Sequence, residues 1–150
     1  MQRQAWLRHH VRVTPADEAG LTEARGKWVL PIGEGKVTQL RIDHAFTLLV
    51  DSWIEIRIET PFTYGPEDDV QRFEPSDAPN LAPLLWLHQA TITSAEIRKD
   101  GRLTLAFAGG AKLEVLPDER YEAFTVAGSL PPIRRGFNFV AIPGGGLAKF

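Results

Sequence analysis

Ile54, Ile56 and Ile58 alternate strictly with Trp53, Glu55, Arg57 and Glu59, and this period of two restricts the fold more than any other feature of the chain. Successive side chains on a β-strand point to opposite faces, so such a run buries one face and wets the other. A slip of one residue would turn the isoleucines into water, which fixes the register strongly. Two further segments rich in β-branched and aromatic residues precede this run, 37–42 and 46–50, set off by Asp43-His44 and Asp51-Ser52. Together the three predict an antiparallel meander.

The same pattern returns downstream. Segments 91–98, 103–107 and 112–116 are separated by Asp100-Gly101, a strong hairpin signal, and by Gly109-Gly110. Residues 46–58 fall on 103–115 without a gap, and 37–44 on 92–99, so that Thr38/Thr93, Ile42/Ile97, Thr47/Thr104 and Leu48/Leu105 coincide. The pairs point to an internal duplication, with Asp100-Gly101 as a two-residue insertion in a turn.

Between the meanders, 60–80 reads as a loop rich in proline, glycine and acid, and Leu81 to His88 as a short apolar helix capped by Asn80. A strand over 121–127 and a last hairpin, 138–142 with 147–150 across Pro143-Gly144-Gly145-Gly146, complete about nine strands. The expected fold class is therefore mostly β with a minor α part: two antiparallel three-stranded meanders plus a C-terminal hairpin, forming a curled sheet or sandwich with one or two short helices. Residues 1–27 read as an N-terminal arm. Thr14-Pro15 offers it a helix start, with a partly ordered polar arm as the alternative. Residues 28–150 read as one β-rich domain, expected to fold without residues 1–26.

With 43% apolar residues in 150, a core is available without cross-links. Cysteine is absent, which removes disulfides, zinc ribbons and thiolate nucleophiles and suits the reducing cytoplasm. No apolar run approaches the roughly 20 residues of a membrane span. The net charge of −2 gives no footprint for nucleic acid or an anionic bilayer. Arg134 and Arg135 alone do not supply one.

Leu30-Pro31 followed by Val37-Thr38 and Ile42-Asp43, then Glu55-Ile56-Arg57-Ile58-Glu59-Thr60-Pro61-Phe62, form a first group of motifs. Asp100-Gly101, Pro117-Asp118 with Tyr121-Glu122-Ala123-Phe124, and Pro143-Gly144-Gly145-Gly146-Leu147-Ala148 form a second. Together they resemble a family of small bacterial proteins known only as a domain of unknown function, over 28–150. Phe124 and Phe150 stand where tryptophan is expected. The resemblance implies one compact domain and brings no catalytic residue with it.

The search for chemistry excludes more than it finds. His9-His10 is the one paired imidazole, but neighbours on an extended chain diverge, and a metal needs three or four converging ligands. His44 and His88 read as turn and helix-end residues. Ser52, Ser76, Ser94 and Ser129 lie in no nucleophile elbow. The triple glycine lacks the lysine and helix of a phosphate loop. No metal, cofactor or catalytic residue is assigned.

Two surface features remain. Glu55, Arg57 and Glu59 form a charged strand face that reads either as a solvated face with cross-strand pairs or as a contact surface. The face leads into a loop where Phe62 and Tyr64 stand beside Glu67, Asp68 and Asp69. Aromatic residues flanked by acids make a pattern that suits anchoring and steering of a basic protein. The expected function is a non-catalytic protein-binding module, of the kind an immunity-type inhibitor of a basic toxin provides. The alternative is a small-ligand binder or enzyme with a pocket inside the curled sheet, where Glu96, Glu114 and Tyr121 would converge. An exposed strand edge near the C-terminus would allow a homo-oligomer.

Overall fold

A computed structural model describes residues 21–32, 34–129 and 136–150. The helix start at Thr14-Pro15, the His9-His10 pair and Arg134-Arg135 lie outside them. The described residues form β1 (Thr22–Ala24), β2 (Lys27–Val29), β3 (Gly35–Ile42), β4 (Phe46–Val50), β5 (Ile54–Ile58), β6 (Phe62–Gly65) and β7 (Gln71–Phe73). After a 3-10 helix (Ala78–Leu87) come β8 (Thr91–Arg98), β9 (Leu103–Phe107), β10 (Lys112–Val115), β11 (Phe124–Ser129), β12 (Gly136–Ala141) and β13 (Leu147–Lys149). Both expected meanders are present, as β3-β4-β5 and β8-β9-β10, and so is the terminal hairpin.

The strands make one antiparallel sheet in the order β13-β12-β11-β5-β4-β3-β8-β9-β10-β6-β7, with the β1-β2 hairpin attached to β8. The order is a palindrome about the β3-β8 seam, where Gly35 and Lys36 pair with Ile92 and Thr91. The strand that follows each meander crosses to the other half. β6 follows β5 but pairs with β10, and β11 follows β10 but pairs with β5. Phe62 and Phe124 open these two crossing strands and occupy equivalent places.

Register repeats as closely as order does. Arg41 pairs with Thr47 and Thr47 with Arg57 in one half, as Glu96 does with Thr104 and Thr104 with Glu114 in the other. Both first strands shift register at their threonine, between Val37 and Gln39 and between Ile92 and Ser94. A bulge frees a backbone carbonyl from the ladder. The Thr38 hydroxyl donates to the Leu49 carbonyl at 3.2 Å, and the Thr93 hydroxyl to that of Ala106 at 3.2 Å. The structure thus carries the duplicated pattern down to single hydrogen bonds.

The sheet curls so that its inner face encloses one core. Phe46, Leu48, Ile54, Ile56 and Ile58 from one half meet Leu103, Leu105, Leu113 and Val115 from the other, all buried. Trp28 of β2 packs against Phe139 of β12, 5.9 Å between ring centres, which draws the β12 end of the sheet over the first hairpin.

Several expectations are corrected. Residues 60–80 are no simple loop, since β6 and β7 form a hairpin there with Phe62 opposite Phe73. At four and three residues these strands are too short to show alternation, and pairing with the distant β10 stabilises them. The described part of the arm, residues 21–27, also enters the sheet. Leu21 is fully buried and β1 pairs with β2, so removal of residues 1–26 would cut into the core. The helix is of 3-10 type, is capped by Asp77 and lacks a side-chain cap bond; the Asn80 amide instead donates to the Asp77 carboxylate. Pro83 has no N–H to give an α-helix, while Leu81, Leu84 and Leu87 are buried at the spacing of three that a 3-10 turn demands. No described helix is long and apolar enough to cross a membrane.

Candidate functional site

Glu55, Arg57 and Glu59 sit on the outer face of the first meander, and their charges are answered locally. Arg41 donates to Glu55 at 2.8 Å, and Arg57 donates to Glu59 at 3.1 Å and Asp43 at 3.2 Å. The hydrogen bond to Glu59, opposed by desolvation and helped by Asp43, holds the Arg57 guanidinium above its ordinary pKa. This is a solvated face knit by cross-strand pairs. A partner would have to break those pairs to use it.

The aromatic residues expected beside the acids are turned inward. Phe62 is 2% exposed and stacks between Phe46 and Phe73, at 5.6 and 5.8 Å between ring centres. It belongs to the core. Tyr64 is half-buried, edge-on to Phe107, and burial pushes its phenol pKa up. Glu67, Asp68 and Asp69 form the exposed tip of the β6-β7 hairpin, closed by a hydrogen bond from the Asp69 amide to the Pro66 carbonyl at 3.0 Å. Gly65 lets the chain fold this tightly: its φ is +148°, and a Cβ there would lie 2.3 Å from the Asp69 carbonyl oxygen. The charged half of the expected loop site is therefore presented to solvent, without its aromatic half.

The equivalent face of the second half differs in sign and in pairing. Arg41, Asp43, Glu55 and Arg57 correspond by register to Glu96, Arg98, Lys112 and Glu114, so every charge is inverted. Glu96 is held by Lys27 at 2.8 Å. Lys112 and Glu114 form no ion pair among the described residues, and neither does Arg72, which lies across β6 from Glu114. Thr63 separates the last two. These groups line three adjoining depressions on the outer face of β10, β6 and β7. One of about 430 Å³ is bordered by Thr60, Thr63, Arg72, Glu114 and Asp118. A second of about 320 Å³ reaches from Lys112 and Glu114 to Glu67 at the acidic tip. The third, of about 550 Å³, runs between β7 and the 3-10 helix. The Thr60 hydroxyl, buried at the edge of the first depression, has no hydrogen-bond partner among the described residues. Such a surface offers fixed charges of both signs and hydroxyls over an elongated area, which is equipment for recognising a polar chain.

A family profile described as Family of unknown function (DUF6188) matches residues 28–150. The chain belongs to that family. No curated protein and no solved structure matches it. The DUF6188 region begins inside β2 and contains both meanders, both crossing strands and all three depressions.

The residues considered for a pocket inside the sheet do not meet there. Glu96 and Glu114 flank Thr104 on the outer face, and Tyr121 is 65% exposed. Leu85 and Trp86 were missed by the sequence reading, which gave 81–88 only a covering role. They are 55% and 87% exposed on the outer side of the 3-10 helix. Pro79 and Pro83, four apart, were the signal, since they disfavour an α-helix and leave a period of three that buries every third residue.

Proposed function

We propose that this chain is a non-catalytic protein-binding module working in the cytoplasm, and that it meets its partner with the outer face of β10, β6 and β7. One observation carries the reading. Arg72, Lys112 and Glu114 form no ion pair among the described residues and line depressions of the surface, whereas Glu55 and Arg57, which match Lys112 and Glu114 in the other half, are both paired. Charges already paired on a surface have little left to offer, while unpaired charges set in depressions are ready for a complementary chain. Glu67, Asp68 and Asp69 stand at the end of this face and favour a basic partner by electrostatic steering. An immunity-type inhibitor of a basic toxin is the instance that this acidic tip fits.

The test is kinetic. With a crosslinked and identified partner in hand, replacing both Asp68 and Asp69 by lysine is expected to slow association about tenfold at low salt and progressively less as salt screens the field. Glu114→Lys is expected to speed dissociation with melting unchanged. Wild-type rates in both variants would remove this face from consideration.

A further inference from the structure

The palindrome is incomplete at one end. β12 is covered along its outer edge by β13, in the register Ala141 to Leu147, Val140 to Ala148 and Phe139 to Lys149. β7 holds the equivalent place in the other half, but its outer edge pairs with no strand among the described residues. An unpaired edge displays backbone donors and acceptors for another chain. Beside this one lies the 550 Å³ groove, walled by Gln71, Arg72, Phe73 and Glu74 on one side and by Asp77 and Pro83 on the other. An edge strand with a helix standing alongside is the arrangement in which an extended peptide adds to a sheet.

We infer that an extended segment of the partner protein docks antiparallel on β7, in the place that β13 fills on β12. This rests on the protein-binding reading above and names its mode. The residues around the groove set the chemistry of the segment. Its residue opposite Phe73 faces inward, as Leu147 does opposite Ala141, and meets Phe73 and Pro83, so it is apolar. The preceding residue lies opposite Glu74 and near Asp77, neither of which has a cationic partner among the described residues, so it is basic. The next residue lies opposite Arg72, which has no ion pair among the described residues, on the outer face, so it is acidic. The motif is basic, apolar, acidic in chain order. Trp86, one turn beyond Pro83 on the same column of the helix, extends the apolar wall for residues beyond the motif. A three-residue edge centred on an arginine resists indiscriminate pairing and admits a strand that answers that charge.

The probe is a synthetic peptide with Lys-Leu-Glu at its centre, titrated to millimolar concentration into the full isotope-labelled chain and followed by amide and indole chemical shifts. Shifts are expected at Gln71 to Glu74, at Asp77 and at the Trp86 indole. N-methylation of single peptide amides is expected to weaken binding about tenfold at alternate positions only, because every second amide of an added strand faces its neighbour. Arg72→Glu is expected to reverse the preference between Glu and Lys at the third motif position by about two- to fivefold in each direction. Absence of shifts at β7, or indifference to N-methylation at every position, overturns strand addition. The wider reading is judged separately, by the rates of the Asp68/Asp69 and Glu114 variants against a whole partner. If those rates change while the peptide fails, another mode of docking on this face is in use.

Discussion

The two halves of this molecule share backbone, register and even the threonine that satisfies each bulge, yet their outer faces carry opposite charges at four matched positions. In the first half Arg41 pairs with Glu55, and Arg57 with Asp43 and Glu59. In the second, Lys112, Glu114 and Arg72 form no ion pair among the described residues. The core is symmetric because both halves must fill the same interior, and packing tolerates little departure there. The outer face is under no such constraint. On a duplicated scaffold, the half whose charges go unanswered is the half where a partner is to be sought, and the difference between the halves says more about function than either face alone.

The largest test of this comparison is in the crossing strands. Phe62 and Phe124 are both buried and equivalent by pairing, so Phe62→Ala and Phe124→Ala are each expected to cost about 3–5 kcal/mol by urea denaturation. A Phe62→Ala cost below about 1 kcal/mol would return the β6-β7 hairpin to the status of a surface loop. The palindrome would then end at β10.

That hairpin also marks the limit of what the sequence discloses. Ile54, Ile56 and Ile58, Leu103 and Leu105, and the Asp100-Gly101 turn are local signals, and the strands they mark lie where expected. Phe62 to Gly65 has no such signal, because its partner on β10 lies some fifty residues away and the exchange of strands between halves leaves no trace in local periodicity. The same holds for Thr22 to Ala24, whose neighbours Trp28 and Lys27 complete a hairpin too short to alternate. Of the site, the acids at 67, 68 and 69 were legible as an exposed cluster. The inward turn of Phe62 and the lack of an ion pair for Arg72 and Glu114 among the described residues depend on cross-strand neighbours, and only the folded sheet brings those together.

A smaller effect sharpens the symmetry. Thr38→Val and Thr93→Val each remove one hydroxyl donor to a bulge carbonyl at an exposed position, and each is expected to cost about 0.5–1 kcal/mol. Equal costs support equivalent bulges. A cost confined to one of them would show that the other half does not depend on its threonine.

The smallest effect bears most directly on the open face. Arg57→Gln removes two ion pairs whose side chains are 32%, 57% and 39% exposed for Arg57, Asp43 and Glu59. Pairs this exposed contribute little, so the expected loss is about 0.2–1 kcal/mol, fading in 1 M salt, where the Debye length falls to about 3 Å. Glu114→Gln, at the matched position, breaks no ion pair within the described residues and is expected to change stability by less than about 0.5 kcal/mol in either direction, with no dependence on salt. The two variants neutralise matched positions of opposite sign, and the comparison asks whether the fold already answers the charge that is removed. If Glu114→Gln is as costly as Arg57→Gln and equally salt-sensitive, Glu114 has a partner within the fold, the asymmetry between the faces disappears, and the β10-β6-β7 surface loses its claim as the binding face.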